Sequence, residues 1–260
     1  MGILNVTPDS FSDGGVHFDR SAAIDAAVRM EQDGASIVDV GGESTRPGSE
    51  EVPLDEELDR VVPVIEGIRR RSGVRISIDT RKARVAAAAF DAGADIVNDV
   101  SALRHDADMR SLVAKRRVPV ILMHMRGEPG TMQENPQYHD VVRDVARELE
   151  TWRDEAVAAG VDPANVLIDP GIGFGKTFEH NLALLAHCDE LTRIAPVVIG
   201  ASRKGFIGQL TGQAGGAPRM AGSLATVAAA HRGGAAIVRV HDVRETVDFL
   251  KVLSAIEARR

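Results

Sequence analysis

The chain is short of cysteine, of aromatic residues, of long apolar stretches and of positive charge, and each shortage removes a class of protein. Cys188 is the only cysteine in 260 residues, which leaves no disulfide framework and no thiolate metal cluster and suits a reducing cytoplasm. Aromatic residues make up 3% of the chain, too few for the stacking platforms that hold single-stranded nucleic acid. No apolar run approaches the roughly 18 residues of a membrane span, and no signal-peptide pattern opens the sequence. The sequon Asn5-Val6-Thr7 is therefore read as chance. With 31 Lys and Arg against 38 Asp and Glu, the net charge is −7. No basic tract offsets it, so neither nucleic acid nor a membrane is an expected partner.

What the chain does have is repetition of a simple kind. Short apolar runs alternate with amphipathic segments from end to end, with no Ser/Pro-rich linker to divide them. The runs lie at Gly2–Val6, Ser36–Val40, Arg75–Asp79, Asp95–Asn98, Val118–His124, Val166–Asp169, Val197–Gly200 and Ala236–His241. Between them, Leu54, Leu58, Val61, Ile65 and Ile68 fall on one helix face, as do Val141, Val145, Leu149, Trp152 and Ala156. Pro63 is expected to kink the first of these helices, and Gly34, Gly73, Gly93 and Gly160 are expected to close helices in the left-handed conformation. Eight strand–helix units in this length predict an α/β fold, a (β/α)8 barrel formed as a single domain over residues 1–260. A doubly wound open sheet is the alternative, because runs this short do not settle closure by periodicity; the count of eight favours the barrel.

Every run ends on or near a polar residue: Asn5, Asp39, Asp79, Asn98, His124, Asp169, Ser202 with Lys204, and Arg239 with His241. Any one has an ordinary structural explanation. Asp39 or Asp79 could cap a following helix, His124 could be a satisfied core histidine, and Asp242 reads as an N-cap. Eight together point to a site on the C-terminal rim of the barrel, since a packed interior would reject them. Gly175-Lys176-Thr177 resembles the end of a phosphate-binding loop, but that motif needs glycine where Pro170 stands. Asp79, Asn98 and Asp169 offer acceptors and an amide. They could hold a metal, but their apolar neighbours Ile78, Val97, Met123 and Ile168 favour a flat heterocycle presenting N–H and NH2. Lys204, Arg239 and His241, with a helix start after Asp242, form a second pole suited to phosphate. Two rim loops, 7–15 and 41–48, are longer than usual βα connections, and Arg46 in the second is available for a carboxylate.

Met1-Gly-Ile-Leu-Asn-Val-Thr-Pro-Asp-Ser-Phe-Ser-Asp-Gly-Gly15 resembles the opening signature of the dihydropteroate synthase family, and Asp39-Val-Gly-Gly-Glu-Ser-Thr-Arg-Pro-Gly48 resembles its second loop. Ser77-Ile-Asp-Thr80, Asn98-Asp-Val100, Met123-His-Met125, Asp169-Pro-Gly-Ile-Gly-Phe-Gly-Lys176, Gly200-Ala-Ser-Arg-Lys204 and Arg239-Val-His-Asp-Val243 follow in family order. The resemblance implies a cytoplasmic, homodimeric barrel enzyme of folate biosynthesis that uses Mg2+. It would join 6-hydroxymethyl-7,8-dihydropterin diphosphate to 4-aminobenzoate, with sulfonamides as competitors for the second substrate. Carried over by position, Asp79, Asn98, Met123, Asp169 and Lys204 would hold the pterin. Asn5 would ligate Mg2+ and, with Arg239 and His241, face the diphosphate. Phe11, Ser44, Thr45, Arg46, Pro47, Phe174, Ser202 and Lys204 would form the aminobenzoate pocket, with Asp79, Lys204, Arg239 and His241 as the catalytic set.

Two departures accompany the match. The chain starts on the first motif, where relatives usually carry a preceding extension, and Gly205 follows Lys204 where many carry serine or a larger residue. A pterin-binding paralogue without turnover and a methyltetrahydrofolate:corrinoid methyltransferase are the alternatives. The Ser-Thr-Arg-Pro-Gly loop and Arg239 argue against the latter.

Overall fold

The computed structural model describes residues 1–7, 19–44, 51–127 and 130–259. Eight parallel strands form in the predicted places: β1 (Gly2–Asn5), β2 (Ile37–Gly41), β3 (Arg75–Asp79), β4 (Ile96–Asp99), β5 (Val120–Met123), β6 (Val166–Asp169), β7 (Val198–Ile199) and β8 (Ile237–Val238). The first six make one sheet in chain order, and β7 pairs with β8. Bridges at Ile168–Val197 and Gly2–Val240 join the two pieces, with Ile3 N donating to Val240 O at 3.0 Å. The ring is closed, which excludes the open sheet. Around it run α1 (Arg20–Gln32), α2 (Leu54–Arg71), α3 (Ala83–Asp91), α4 (Ala107–Arg116), α5 (Val141–Ala158), α6 (Phe178–Ala186), α7 (Cys188–Leu191), α8 (Gly205–Thr211), α9 (Met220–Arg232) and α10 (Val243–Glu257).

Alternation along each strand builds two cores. Residues of one parity (Leu4, Val38, Val40, Ile76, Ile78, Val97, Val120, Leu122 and Val166) pack outward against the helices. Residues of the other parity fill the barrel's interior, where Ile37, Ile96, Ile121 and Val198 cluster with Met1, Leu167 and Ile237. Each such burial is worth about 1.5–3 kcal/mol, so this apolar layer makes a firm floor. One pleat further along the same parity the side chains become Asp39, Asn98, Met123, Asp169 and Arg239. The site is thus the next layer up from the floor.

The helices follow their stripes. Val61, Ile65 and Ile68 are fully buried on α2, as are Val145 and Leu149 on α5. Helix α2 continues through Pro63. Proline cannot donate to Asp59 O four residues back, and Arg20 Nη2 donates to that carbonyl instead, at 3.0 Å. Gly34, Gly93 and Gly160 have φ of 99°, 110° and 99°, as expected of helix-closing glycines. Gly73 does not, because α2 ends on Ser72 in an extended conformation. Asp242 occupies the N-cap position of α10, but its side chain accepts nothing from the helix amides. Its carboxylate is taken by Arg203.

Candidate active site

One cleft at the C-terminal end of the barrel is lined by Asp79, Asn98, Val100, Met123, Asp169, Gly171, Ile172, Phe174, Gly200, Lys204 and Arg239. The residues expected to hold the ring therefore converge, although they come from five different strands or the loops after them.

Their hydrogen bonds set their roles. Asn98 Nδ2 donates to Asp39 Oδ2 at 3.0 Å, which turns the amide oxygen the other way as an acceptor. Asp169 accepts Gly171 N at 2.7 Å through Oδ1, and burial pushes its carboxyl pKa up against that bond and the nearby charges of Lys204 and Arg239. Burial likewise lifts Asp79 to about 7, with Arg239 opposing the rise and Asp39 adding to it. The Phe174 ring lies 4.1 Å from Lys204 Nζ, a cation–π contact at the cavity's edge. The pocket thus presents three oxygen acceptors and two cations over a Met and Phe surface.

Arg239 departs from expectation. Instead of standing apart with His241 as a separate pole, its guanidinium lies between two interior carboxylates, with Nε donating to Asp39 Oδ2 at 2.6 Å and Nη2 to Asp79 Oδ2 at 2.8 Å. Burial works against the charge, but Asp39 and Asp79 more than compensate and push the guanidinium pKa up. Asp39 was expected at a strand end on the rim. It lies mid-strand in the interior, 0% exposed, where Arg239 and Asn98 make its burial tolerable. The signal was present in the parity it shares with Ile37, but only register against β3 shows that Gly41, not Asp39, ends the strand.

His124 has the opposite parity to Met123 and leaves the cavity altogether. It is fully buried, stacked on Trp152 at 5.3 Å between centroids, with Nε2 3.0 Å from Glu148. Burial, then the charge of Lys176, bring its pKa down to about 3. This is the core-histidine explanation.

His241 and Ser202 lie beside the cavity and hold each other. His241 N donates to Ser202 Oγ at 3.2 Å, and Ser202 Oγ is 2.9 Å from His241 Nδ1. The hydroxyl accepts the backbone amide and shares a second hydrogen bond with the ring, whose direction follows the imidazole tautomer. Burial first, then the charges of Arg203 and Arg239, depress this histidine to about 4, so the ring is neutral at pH 7. Arg203 holds φ 60° and forks onto Asp242 at 3.1 and 2.5 Å, tying the loop after β7 to the start of α10.

Asn5 is half-buried at the end of β1, level with Gly41. Ser44 is half-buried at the last described position of its loop. Phe11, Thr45, Arg46 and Pro47 lie outside the described residues. The loop's foot is well defined: Glu43 meets Arg81 at 2.8 Å and Lys82 at 2.5 Å and accepts Val52 N at 3.2 Å, while Lys82 also reaches the buried Glu57 at 2.7 Å. Burial alone would raise the Glu43 carboxyl, but hydrogen bonds from Lys82 and Arg81 outweigh it and hold the pKa below the usual range. Sequence reasoning passed over this network, since Glu57 lies in a helix 14 positions from Glu43 and nothing local marks it as buried.

The chain matches the family described as pterin binding enzyme over residues 1–241. It is 47% identical over 256 residues to an Escherichia coli dihydropteroate synthase, covering 98% of this chain and 90% of that one. The chain belongs to the dihydropteroate synthase family. Among solved structures, the Xanthomonas albilineans dihydropteroate synthase with 4-aminobenzoic acid has a TM-score of 0.92 at 48% identity, covering 99% of this chain and 92% of that one. The Yersinia pestis dihydropteroate synthase with a sulfonamide drug has a TM-score of 0.92 at 46% identity, covering 99% and 93%. Such family members share the closed ring described above, and the polar layer above the floor is where the family motifs fall in this chain.

Proposed function

We infer that this site joins 6-hydroxymethyl-7,8-dihydropterin diphosphate to 4-aminobenzoate, releasing pyrophosphate and forming 7,8-dihydropteroate. The observation that carries the reading is the convergence of Asp79, Asn98, Asp169, Lys204 and Arg239 in one cavity of a chain that belongs to this transferase family. A dihydropterin offers N–H and NH2 donors along one ring edge and a carbonyl beside them. The carboxylates of Asp79 and Asp169 and the Asn98 amide oxygen match the donors, and Lys204 matches the carbonyl. Met123 supports the ring face.

The reaction needs charge placement more than a nucleophile on the enzyme. Electron release from the dihydropterin ring lets the methylene–oxygen bond to the diphosphate break, and the aniline nitrogen then bonds to the methylene carbon and loses a proton. Asp79 stabilises the positive charge that develops on the ring. Arg239 spans the ring-binding pocket and the departing diphosphate, and His241 adds a neutral imidazole beside it. Holding the two reactants in one cavity supplies the orientation.

Mg2+ fits the donors present. Among the described residues no group of three His, Cys, Asp or Glu side chains could cage a metal, whereas Mg2+ prefers one or two protein oxygens together with substrate phosphates. The Asn5 amide oxygen would hold it against the diphosphate, where it would neutralise leaving-group charge. Phe174, Lys204 and Ser202, with Ser44 and the undescribed Phe11, Thr45, Arg46 and Pro47, make up the aminobenzoate side in this reading, which is also the site at which sulfonamides would compete. The single buried cysteine suits a cytoplasmic setting, and no helix among the described residues is long and apolar enough to cross a membrane. A homodimer completes the proposal; Val252 and Ile256, one turn apart on α10, are 61% and 55% exposed and leave apolar surface for a second copy.

The deciding experiment measures pyrophosphate release from the pterin diphosphate with Mg2+, with and without 4-aminobenzoate. Release that depends on 4-aminobenzoate and yields dihydropteroate is the expected result. Tight pterin binding without release would identify a non-catalytic binder, and no pterin binding would undo the pocket.

A further inference from the structure

Lys176 is the buried charge that this chemistry does not use. It closes the glycine-rich turn after β6, is 3% exposed, and burial brings its pKa down to about 7. An ammonium out of water is costly unless each N–H finds an acceptor. Here Nζ lies 2.9 Å from Phe174 O, 3.1 Å from His124 Nδ1 and 3.3 Å from His124 O, so its three donors go to a ring nitrogen and two carbonyls, and none to a carboxylate. The His124 ring is set to receive one of them, because its Nε2 is held by Glu148.

These bonds lash together two walls of the cavity. One is the end of β5, where His124 follows Met123. The other is the turn 171–176, which presses so closely on that end that a Cβ on Gly171 would stand 2.0 Å from His124 O. Three further bonds hold the turn from outside: Gln133 Nε2 to Gly173 O at 2.8 Å, Gly173 N to Asn181 Oδ1 at 2.6 Å, and Tyr138 OH to Gly175 O at 2.9 Å. At its crest the turn carries Phe174, whose carbonyl Lys176 grips from beneath while its ring faces Lys204 Nζ at 4.1 Å.

We propose that Lys176 is a positioning residue for the second substrate: by pinning the Phe174 carbonyl to the end of β5, it fixes the Phe174 ring that borders the 4-aminobenzoate side of the cavity. The proposal rests on the reaction assigned above. The pterin side leans on the turn less, because Asp79, Asn98 and Arg239 are held by Asp39 and by one another on the far side of the cavity, and Asp169 meets the turn only at its foot, through Gly171 N.

The test compares wild type with Lys176→Met, which keeps the length and removes all three donors. The KM for 4-aminobenzoate should rise about tenfold or more, while the Kd for the pterin diphosphate, titrated without the second substrate, should change less than about threefold. Equal losses for both substrates, or no change in either, would overturn the proposal. If Lys176→Met does not fold, Tyr138→Phe loosens the same turn by one bond and should raise the same KM about two- to threefold with pterin affinity unchanged; no effect there would also overturn it. Wild type serves as the control for the underlying reading. If it lacks aminobenzoate-dependent pyrophosphate release, the assigned reaction fails, whereas a competent wild type with no substrate split fails the role of Lys176 alone.

Discussion

Arg239 bonds two carboxylates, Asp39 and Asp79, on different strands, and the segment after β8 that carries it also carries His241 two residues on. Sequence spacing could show that Arg239 and His241 share a face, but not that the longer side chain reaches back across the ring site to β2 and β3. The consequence is measurable. Arg239→Ala leaves two buried acids without their cation, a change that typically costs about 3–5 kcal/mol. It should lower Tm, and it should weaken binding of free pterin as well as of the pterin diphosphate, because Asp79 loses the charge that opposes its raised pKa. Isothermal titration with both ligands checks this. A loss confined to the diphosphate form would restore the picture of two separate poles.

The strand–loop units show why some of this was readable and some was not. Val166-Leu-Ile-Asp169 announces a strand by its apolar run, and the glycines that follow announce a turn. Parity within the run then decides which side chains look inward, so Met123, Asn98 and Asp169 could be placed in one pocket from sequence alone. Asp39 could not, because β2 runs two residues past it and only pairing reveals that. Asp242 could not either, since a residue that looks like an N-cap is claimed by a partner 39 positions away. That pair is open to test as a unit. Arg203 holds a left-handed backbone between Ser202 and Lys204, and its charge helps to depress His241 after burial. In Arg203→Met, Asp242 is freed to cap α10, offsetting about 1 kcal/mol of whatever stability is lost. The His241 pKa should rise from about 4 toward its ordinary value, followed through its ring proton resonance, and kcat/KM should fall about ten- to a hundredfold as Lys204 and His241 lose their mutual register. An unmoved His241 titration would show that Arg203 does not set its charge state.

Across the molecule, buried titratable groups make stability depend on pH in a way that can be worked out by sign. His124 and His241 are held down to about 3 and about 4 in the folded chain, against about 6.5 when unfolded. Between those values unfolding takes up a proton at each, so stability that is full above pH 6.5 drains away as the pH falls. Glu148 acts in the same direction lower down: burial would raise it, but His124 and Arg126 outweigh that and hold it to about 2, so its contribution fades below about pH 4.5. Asp79 opposes them. Its folded pKa is raised to about 7, so between about pH 4 and 7 the folded state keeps a proton that the unfolded chain has lost, and stability from this group falls as the pH rises. Near pH 5 two histidines gain a proton on unfolding and one aspartate releases one, for a net uptake of one proton from these three groups. From these three groups alone that is a slope of about 1.4 kcal/mol per pH unit, with stability rising as the pH rises, and the buried carboxyls of Asp99 and Asp169, also raised by burial, pull against it. His124→Phe removes one of the two uptakes, and the slope near pH 5 should then be lower than that of wild type by about 1.4 kcal/mol per pH unit, whatever the variant's absolute stability. Urea unfolding of both proteins from pH 4 to 7 reads both slopes directly. A wild-type slope near zero would mean that the raised carboxyls of Asp79, Asp99 and Asp169 together offset the histidines, and equal slopes in the two proteins would show that His124 titrates in the folded chain as an ordinary histidine does.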